Sequence, residues 1–123
     1  MRKLIATLAA AALLCALGVA FAANAIAGDP PVRAAATKTV LIGDNFFKPK
    51  LLKVRKGTIV KWTWGTDGAG TDVEHNVRGY KGNRFQSPDQ IDGVYRRRIT
   101  RTTYFVCTIH PTTMKGKITV VNP

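Results

Sequence analysis

From Lys38 onward, apolar and polar positions alternate in short runs. Between Thr58 and Trp64, Val60, Trp62 and Trp64 fall on one face, and Ile59, Lys61 and Thr63 on the other. Thr102 to Cys107 is β-branched and aromatic, with Thr103, Phe105 and Cys107 sharing a face. Ile118 and Val120 alternate with Lys117 and Thr119, and Val40-Leu41-Ile42 is a short apolar run. A period of two in branched and aromatic residues is the signature of half-buried strands. Turn signals separate the runs: Gly43-Asp44-Asn45, Pro49, Lys56-Gly57, Gly65 to Gly70, Ser87-Pro88-Asp89 and Asp92-Gly93,. Short strands at this spacing, without helical periodicity, predict an all-β, antiparallel sandwich of about seven to eight strands. A domain this small depends on aromatic burial, and Trp62, Trp64, Phe85, Phe105 and Phe47 are the expected core.

The first residues follow another pattern. Arg2-Lys3 precedes an uncharged run rich in Ala and Leu from Leu4 to about Ala22, and small residues follow as Ala20-Phe21-Ala22 and Ala25-Ile26-Ala27. A basic start, an apolar middle and an A-x-A end describe a secretory signal peptide over residues 1–27. No transmembrane segment is then expected after cleavage. Leu14 before Cys15 argues against a lipoprotein signal, which wants a small residue there. Residues 28–37 (GDPPVRAAAT) read as a flexible leader, and 38–123 as one domain,. Export points to the periplasm or the extracellular cell envelope.

Processing changes the charge and the cysteine count. Arg2 and Lys3 leave without any acid, so 17 basic side chains face 7 acidic ones. A charge of about +10 attracts acidic partners or anionic surfaces. Nucleic acid is not expected, because an exported protein rarely meets it. Cys15 also leaves, and Cys107 remains as a single thiol in an oxidising compartment. Such a thiol is buried and inert, bridges two chains, or binds something.

Beyond residue 27 the chain holds two histidines, one cysteine and one methionine, and three of these four lie in Cys107-Thr108-Ile109-His110-Pro111-Thr112-Thr113-Met114. The fourth, His75, follows a Gly-rich loop. Two His and one Cys with a long axial Met form the ligand set of electron-transfer copper. Cu(I) prefers soft thiolate and thioether, Cu(II) prefers imidazole, and a rigid site offering both changes oxidation state with little atomic movement. The candidate ligands of one copper ion are therefore His75, Cys107, His110 and Met114. Structural zinc does not take a thioether, the sequence has no C-x-x-C-H for haem, and no second cysteine remains for an iron–sulfur centre,. A multicopper oxidase needs further histidines, so an enzyme is not expected. His75 must reach the site from a separate loop, and Asn76 to Val106 is long enough for at least two strand passes back to the same end.

From about Val40 to Val121 the chain resembles the cupredoxins, the small type 1 blue copper proteins of the plastocyanin, amicyanin and pseudoazurin group. The resemblance rests on Asn45-Phe46-Phe47-Lys48-Pro49, Val54-x-x-Gly57-x-x-Val60-x-Trp62, His75-Asn76-Val77, and Cys107-x-x-His110-Pro111 through Met114-x-Gly116-x-Ile118. It implies a Greek-key β-sandwich with copper at one end and a role in passing electrons between larger redox proteins. It also implies that Asn76 hydrogen-bonds across to the Cys107 loop; Pro111, by fixing φ, would stiffen that loop. One departure stands out. Three residues separate His110 from Met114, against two in amicyanins and four in plastocyanins and pseudoazurins.

Arg96-Arg97-Arg98 with Arg101 forms one basic run, and Lys48 to Lys61 forms another without an acid. Either is a solvated face or a docking surface for an acidic redox partner. Asp67, Asp72 and Glu74 cluster near His75, so the copper end itself need not be basic. The leading function is a monomeric one-electron carrier between a donor and an acceptor protein. A cell-envelope copper-handling protein is the alternative, although delivery favours exposed sites rich in Met and His, and here each donor type is scarce.

Overall fold

The structure, a computed structural model, describes residues 33–122. Residues 1–27, read as a signal peptide, and the first part of the leader lie outside them. Nine strands follow in order: β1 (Thr37–Gly43), β2 (Phe46–Lys48), β3 (Leu51–Arg55), β4 (Thr58–Trp64), β5 (Arg78–Lys81), β6 (Phe85–Gln86), β7 (Val94–Ile99), β8 (Thr103–Val106) and β9 (Lys115–Val121). A single 3-10 turn, Thr66–Gly68, interrupts them. Among the described residues no helix is long and apolar enough to cross a membrane.

The strands form two sheets, ordered β2-β1-β4-β7 and β3-β9-β8-β5-β6, packed as the Greek-key sandwich expected. Two details differ from the sequence expectation. Among the described residues there are nine strands, because Phe46–Lys48 and Phe85–Gln86 pair as very short edges. The sheets are also mixed rather than antiparallel: β1 pairs parallel with β4, and β3 parallel with β9. After β2 the chain crosses to the other sheet as β3 and returns as β4, which puts β4 in the same sense as β1. Alternation reports which face is buried and carries no information on strand direction. Regular structure also begins one residue earlier than the expected domain start, at Thr37, and the Ala36 carbonyl accepts a hydrogen bond from the Ile59 amide at 2.8 Å.

The expected core is the observed one. Trp62, Trp64 and Phe105 are fully buried, and Phe47 and Phe85 nearly so. The Phe105 ring meets Phe47 edge-on at 4.9 Å between centroids and Trp62 at 5.7 Å. Gly116 lies opposite Phe105 across β8 and β9, and a Cβ there would stand 2.1 Å from the Phe105 ring. The absence of a side chain at Gly116 is what lets that ring lie over β9. Val60, Trp62 and Trp64 on β4, and Thr103 and Phe105 on β8 with Cys107 just beyond it, all face inward, as the period of two predicts. This aromatic layer gives the loops at the ends of the strands a rigid base.

Candidate metal centre

β4 ends at Trp64, whose indole Nε1–H donates to the His75 carbonyl at 3.1 Å. His75 also exchanges both backbone hydrogen bonds with Gln90, at 3.0 and 3.1 Å. The loop after β4 is thereby fixed to the loop before β7, and the His75 ring is fully buried. Cys107 directly follows β8 and Met114 directly precedes β9. The Cys107 amide donates to the Met114 carbonyl at 3.0 Å, and the Met114 amide donates to the His110 carbonyl at 3.0 Å. That second bond spans four residues, the closure of a single helical turn. The three-residue spacing between His110 and Met114 therefore has a local structural role: it brings the chain back beside Cys107 to start β9.

Three side-chain donors converge. Cys107 Sγ lies 3.9 Å from His75 Nδ1 and 3.8 Å from His110 Nδ1, and the two nitrogens are 3.1 Å apart. Among the described residues these three form the one group of His, Cys and acidic donors close enough to hold an ion. The triangle has the size that a first-row ion needs, with bonds of about 2.0 Å to nitrogen and about 2.3 Å to sulfur. Met114 is fully buried next to this group in the chain, which completes a type 1 copper-like set of His, Cys, His and Met. The donor chemistry fits copper: one thiolate and one thioether suit Cu(I), and two imidazoles suit Cu(II). Cys107 and His75 are fully buried, whereas His110 is only half-buried and Ile109, Pro111, Thr112 and Thr113 beside it are exposed.

Asn76 ties the two halves of the site together. Its Oδ1 accepts from the Thr108 amide at 2.8 Å, and its Nδ2 donates to Thr108 Oγ1 and to Asp89 Oδ1, both at 2.6 Å. The Asn76 backbone amide points at Cys107 Sγ at 3.5 Å. The cross-loop bond implied by the resemblance is present. Pro111 lies exposed beside His110, where its ring limits the loop backbone.

Sequence reasoning read Asp44 and Asp89 only as turn residues. In the structure Asp44 Oδ1 lies 3.2 Å from His75 Nε2, the ring nitrogen facing away from the donor triangle. Asp44 accepts in turn from the Asp72 and Val73 amides. The Asp72 amide first, with His75 and the Val73 amide, holds the Asp44 carboxyl below its ordinary range. A carboxylate behind a ligating imidazole fixes its tautomer and orientation. The Gly43-Asp44-Asn45 turn signal marked the position, but a partner distant in sequence gave no local sign.

The acids are also segregated. All six in the described residues (Asp44, Asp67, Asp72, Glu74, Asp89 and Asp92) sit in the three loops that surround His75. Those loops are laced together by the Asp44 contacts, by Thr71 N to Ile91 O at 2.7 Å and by Gly93 N to Gly68 O at 3.1 Å. An acidic flank beside an uncharged tip is therefore the character of this end.

No family model matches the sequence, and no curated protein does. Solved structures do match the fold. A copper-containing nitrite reductase from Thermus scotoductus is 27% identical over 69% of this chain, with a TM-score of 0.56; the match covers 22% of that protein, so this chain spans about a fifth of its length. A reduced Cu(I) form of an amicyanin mutant is 25% identical over 72% of this chain and 83% of its own, with a TM-score of 0.55. A novel purple cupredoxin from Nitrosopumilus maritimus is 22% identical over 68% of this chain and 98% of its own, again with a TM-score of 0.55.

Proposed function

We propose, from the premise that the chain is a cupredoxin by fold with a type 1 copper-like donor set at one end, that it is an exported one-electron carrier between larger redox proteins. Copper held there supplies a Cu(I)/Cu(II) couple. The observation that carries the reading is the convergence of His75, Cys107 and His110 on one point, with their backbones fixed by Gln90, Asn76 and Met114. Ligands held this tightly move little when the charge of the site changes by one, which keeps the reorganisation cost of electron transfer low.

His75 Nδ1, His110 Nδ1 and the Cys107 thiolate would hold the copper, with the Met114 thioether as a weaker fourth donor,. Asn76 orients the Cys107 loop and Asp44 orients His75. The half-buried His110 ring is the electron port, because the other donors are fully buried. The exposed residues around it are uncharged, so a partner can press against them without desolvating an ion. Burial of His75, Cys107 and Met114 also argues against metal delivery, which requires donors that an acceptor protein can reach. Both histidines of the sequence belong to this site, leaving none for the second copper centre a multicopper enzyme requires. Arg2-Lys3, the apolar run and the A-x-A sites support export to the periplasm or cell envelope.

The test is spectroscopic. Copper-loaded protein should show an intense visible band and a type 1 paramagnetic spectrum, and Cys107→Ser should lose both while keeping the fold. A colourless wild type with bound copper would refute the assignment.

A further inference from the structure

We propose that the pole opposite the metal centre is a binding site for a phosphate-rich anion. β1, β4, β7 and β9 each run between the two ends of the sandwich. β4 leads from Thr58 to Trp64 beside His75, and β9 from Lys115 beside Met114 to Val121. Six residue steps of strand set the two ends about 20 Å apart. At the far end, a cleft of about 520 Å³ opens beside the connection from β3 to β4, with Val54 and Val121 among its lining.

Its charge is one-sided. Arg33, Lys38, Lys53, Arg55, Lys56 and Arg98 line the cleft, and among the described residues no acid does. Among the described residues no Lys or Arg pairs with a carboxylate, and the single close contact of that kind is the one from Asp44 to His75, at the other end of the molecule. These six cations line one concavity without a carboxylate partner among the described residues, at a mutual repulsion that an anion would relieve,.

The wall is also built. Gly57, with φ of 89°, turns the chain between Lys56 and Thr58. Its amide donates to the Ile99 carbonyl at 2.8 Å, and its carbonyl accepts from Arg98 Nη1 at 3.0 Å. Arg98 is thereby held over the turn, and Arg55 and Lys53 project from the same side of β3 while Val54 between them is buried. Guanidinium forks and ammonium groups around one hollow match clustered phosphate oxygens better than a single carboxylate. With the acids gathered at the metal end, an anion held here would leave the metal end directed away from it.

Phosphate groups of this kind occur free or on lipid headgroups, and the two sources are separable. Protein lacking residues 1–27, the expected processed form, is titrated with tripolyphosphate by calorimetry, and cosedimented with vesicles containing phosphatidylglycerol or phosphatidylcholine alone at about 0.1 M salt, where distant charge effects are screened. That segment is left out because its Arg2-Lys3 pair and apolar run would themselves favour acidic vesicles,. The double variant Arg55→Ser/Lys56→Ser should lose about fivefold per basic side chain, hence about twenty-five-fold overall. The control Arg78→Ser/Arg96→Ser removes the same charge from exposed positions on β5 and β7 outside the cleft lining, and should lose no more than about threefold because distant charges are screened at this salt,. Circular dichroism confirms that both fold. Binding of tripolyphosphate alone identifies a soluble anion, and a preference for acidic vesicles alone identifies a headgroup. Equal losses in the two variants, or no binding in either arm by the wild type, would overturn the proposal.

Discussion

Asn76→Ala should destabilise the protein markedly while leaving all four proposed copper ligands in place. The alanine removes two hydrogen bonds with Thr108 and one with the Asp89 carboxylate. Neutral bonds contribute about 1 kcal/mol each, and one to a charged group about 1.5–3 kcal/mol. Thr108 and Asp89 are exposed, so water replaces part of what is lost there. Asn76 itself is fully buried, and its removal leaves a gap that the fixed loops on either side cannot close. The net cost should be about 2–3 kcal/mol, which for a domain of this size lowers Tm by about 10–20 °C. The assay is thermal unfolding of the metal-free protein, followed by circular dichroism, beside an Asp89→Asn control that keeps an acceptor and should lose about 1 kcal/mol at most. The Asn76 backbone amide still points at Cys107 Sγ in the variant, so copper-loaded Asn76→Ala should stay coloured, with a shifted or broadened band. A fall in Tm of less than about 4 °C, equivalent to under about 1 kcal/mol, would refute the reasoning. It would mean that solvent substitutes for the network and that Asn76 does not brace the two loops.

Met114→Leu should keep the visible band and raise the reduction potential, since loss of the axial thioether disfavours Cu(II) more than Cu(I); an unchanged potential would remove Met114 from the ligand set. Thr112→Glu should slow electron self-exchange, measured by NMR line broadening at high salt, with the spectrum untouched; an undiminished rate would move the electron port away from His110. Asp44→Asn keeps an acceptor for His75 but removes a negative charge behind it, so the potential should rise at neutral pH, and an unchanged value would mean that the carboxylate serves only the turn,. Gly116→Ala should destabilise the fold by about 1–3 kcal/mol through overpacking against Phe105, read as a lowered Tm with an unchanged denaturant m-value.

The sequence by itself determined the fold class and the candidate donors. A period of two in branched and aromatic residues fixes which face of a strand is buried, and Trp62, Trp64 and Phe105 could fill only a core. Cys107, His110 and Met114 lie within eight residues, so their convergence is almost a local property, and the closure of the turn from Met114 to His110 is a local hydrogen bond. His75 was legible as well, because few donors remained to choose from. Strand direction was not legible, since alternation reads the same along parallel and antiparallel neighbours. The parallel pairing of β1 with β4 was decided by the crossing of β3 to the other sheet. Asp44 gained its place behind His75, and Asp89 its bond to Asn76, only when loops 31 and 13 residues apart in sequence came together. The charge pattern belongs to the same class. Acids and bases spaced along the chain became an acidic metal end and a basic far pole because antiparallel and crossing strands sort alternate turns to opposite ends of a sandwich.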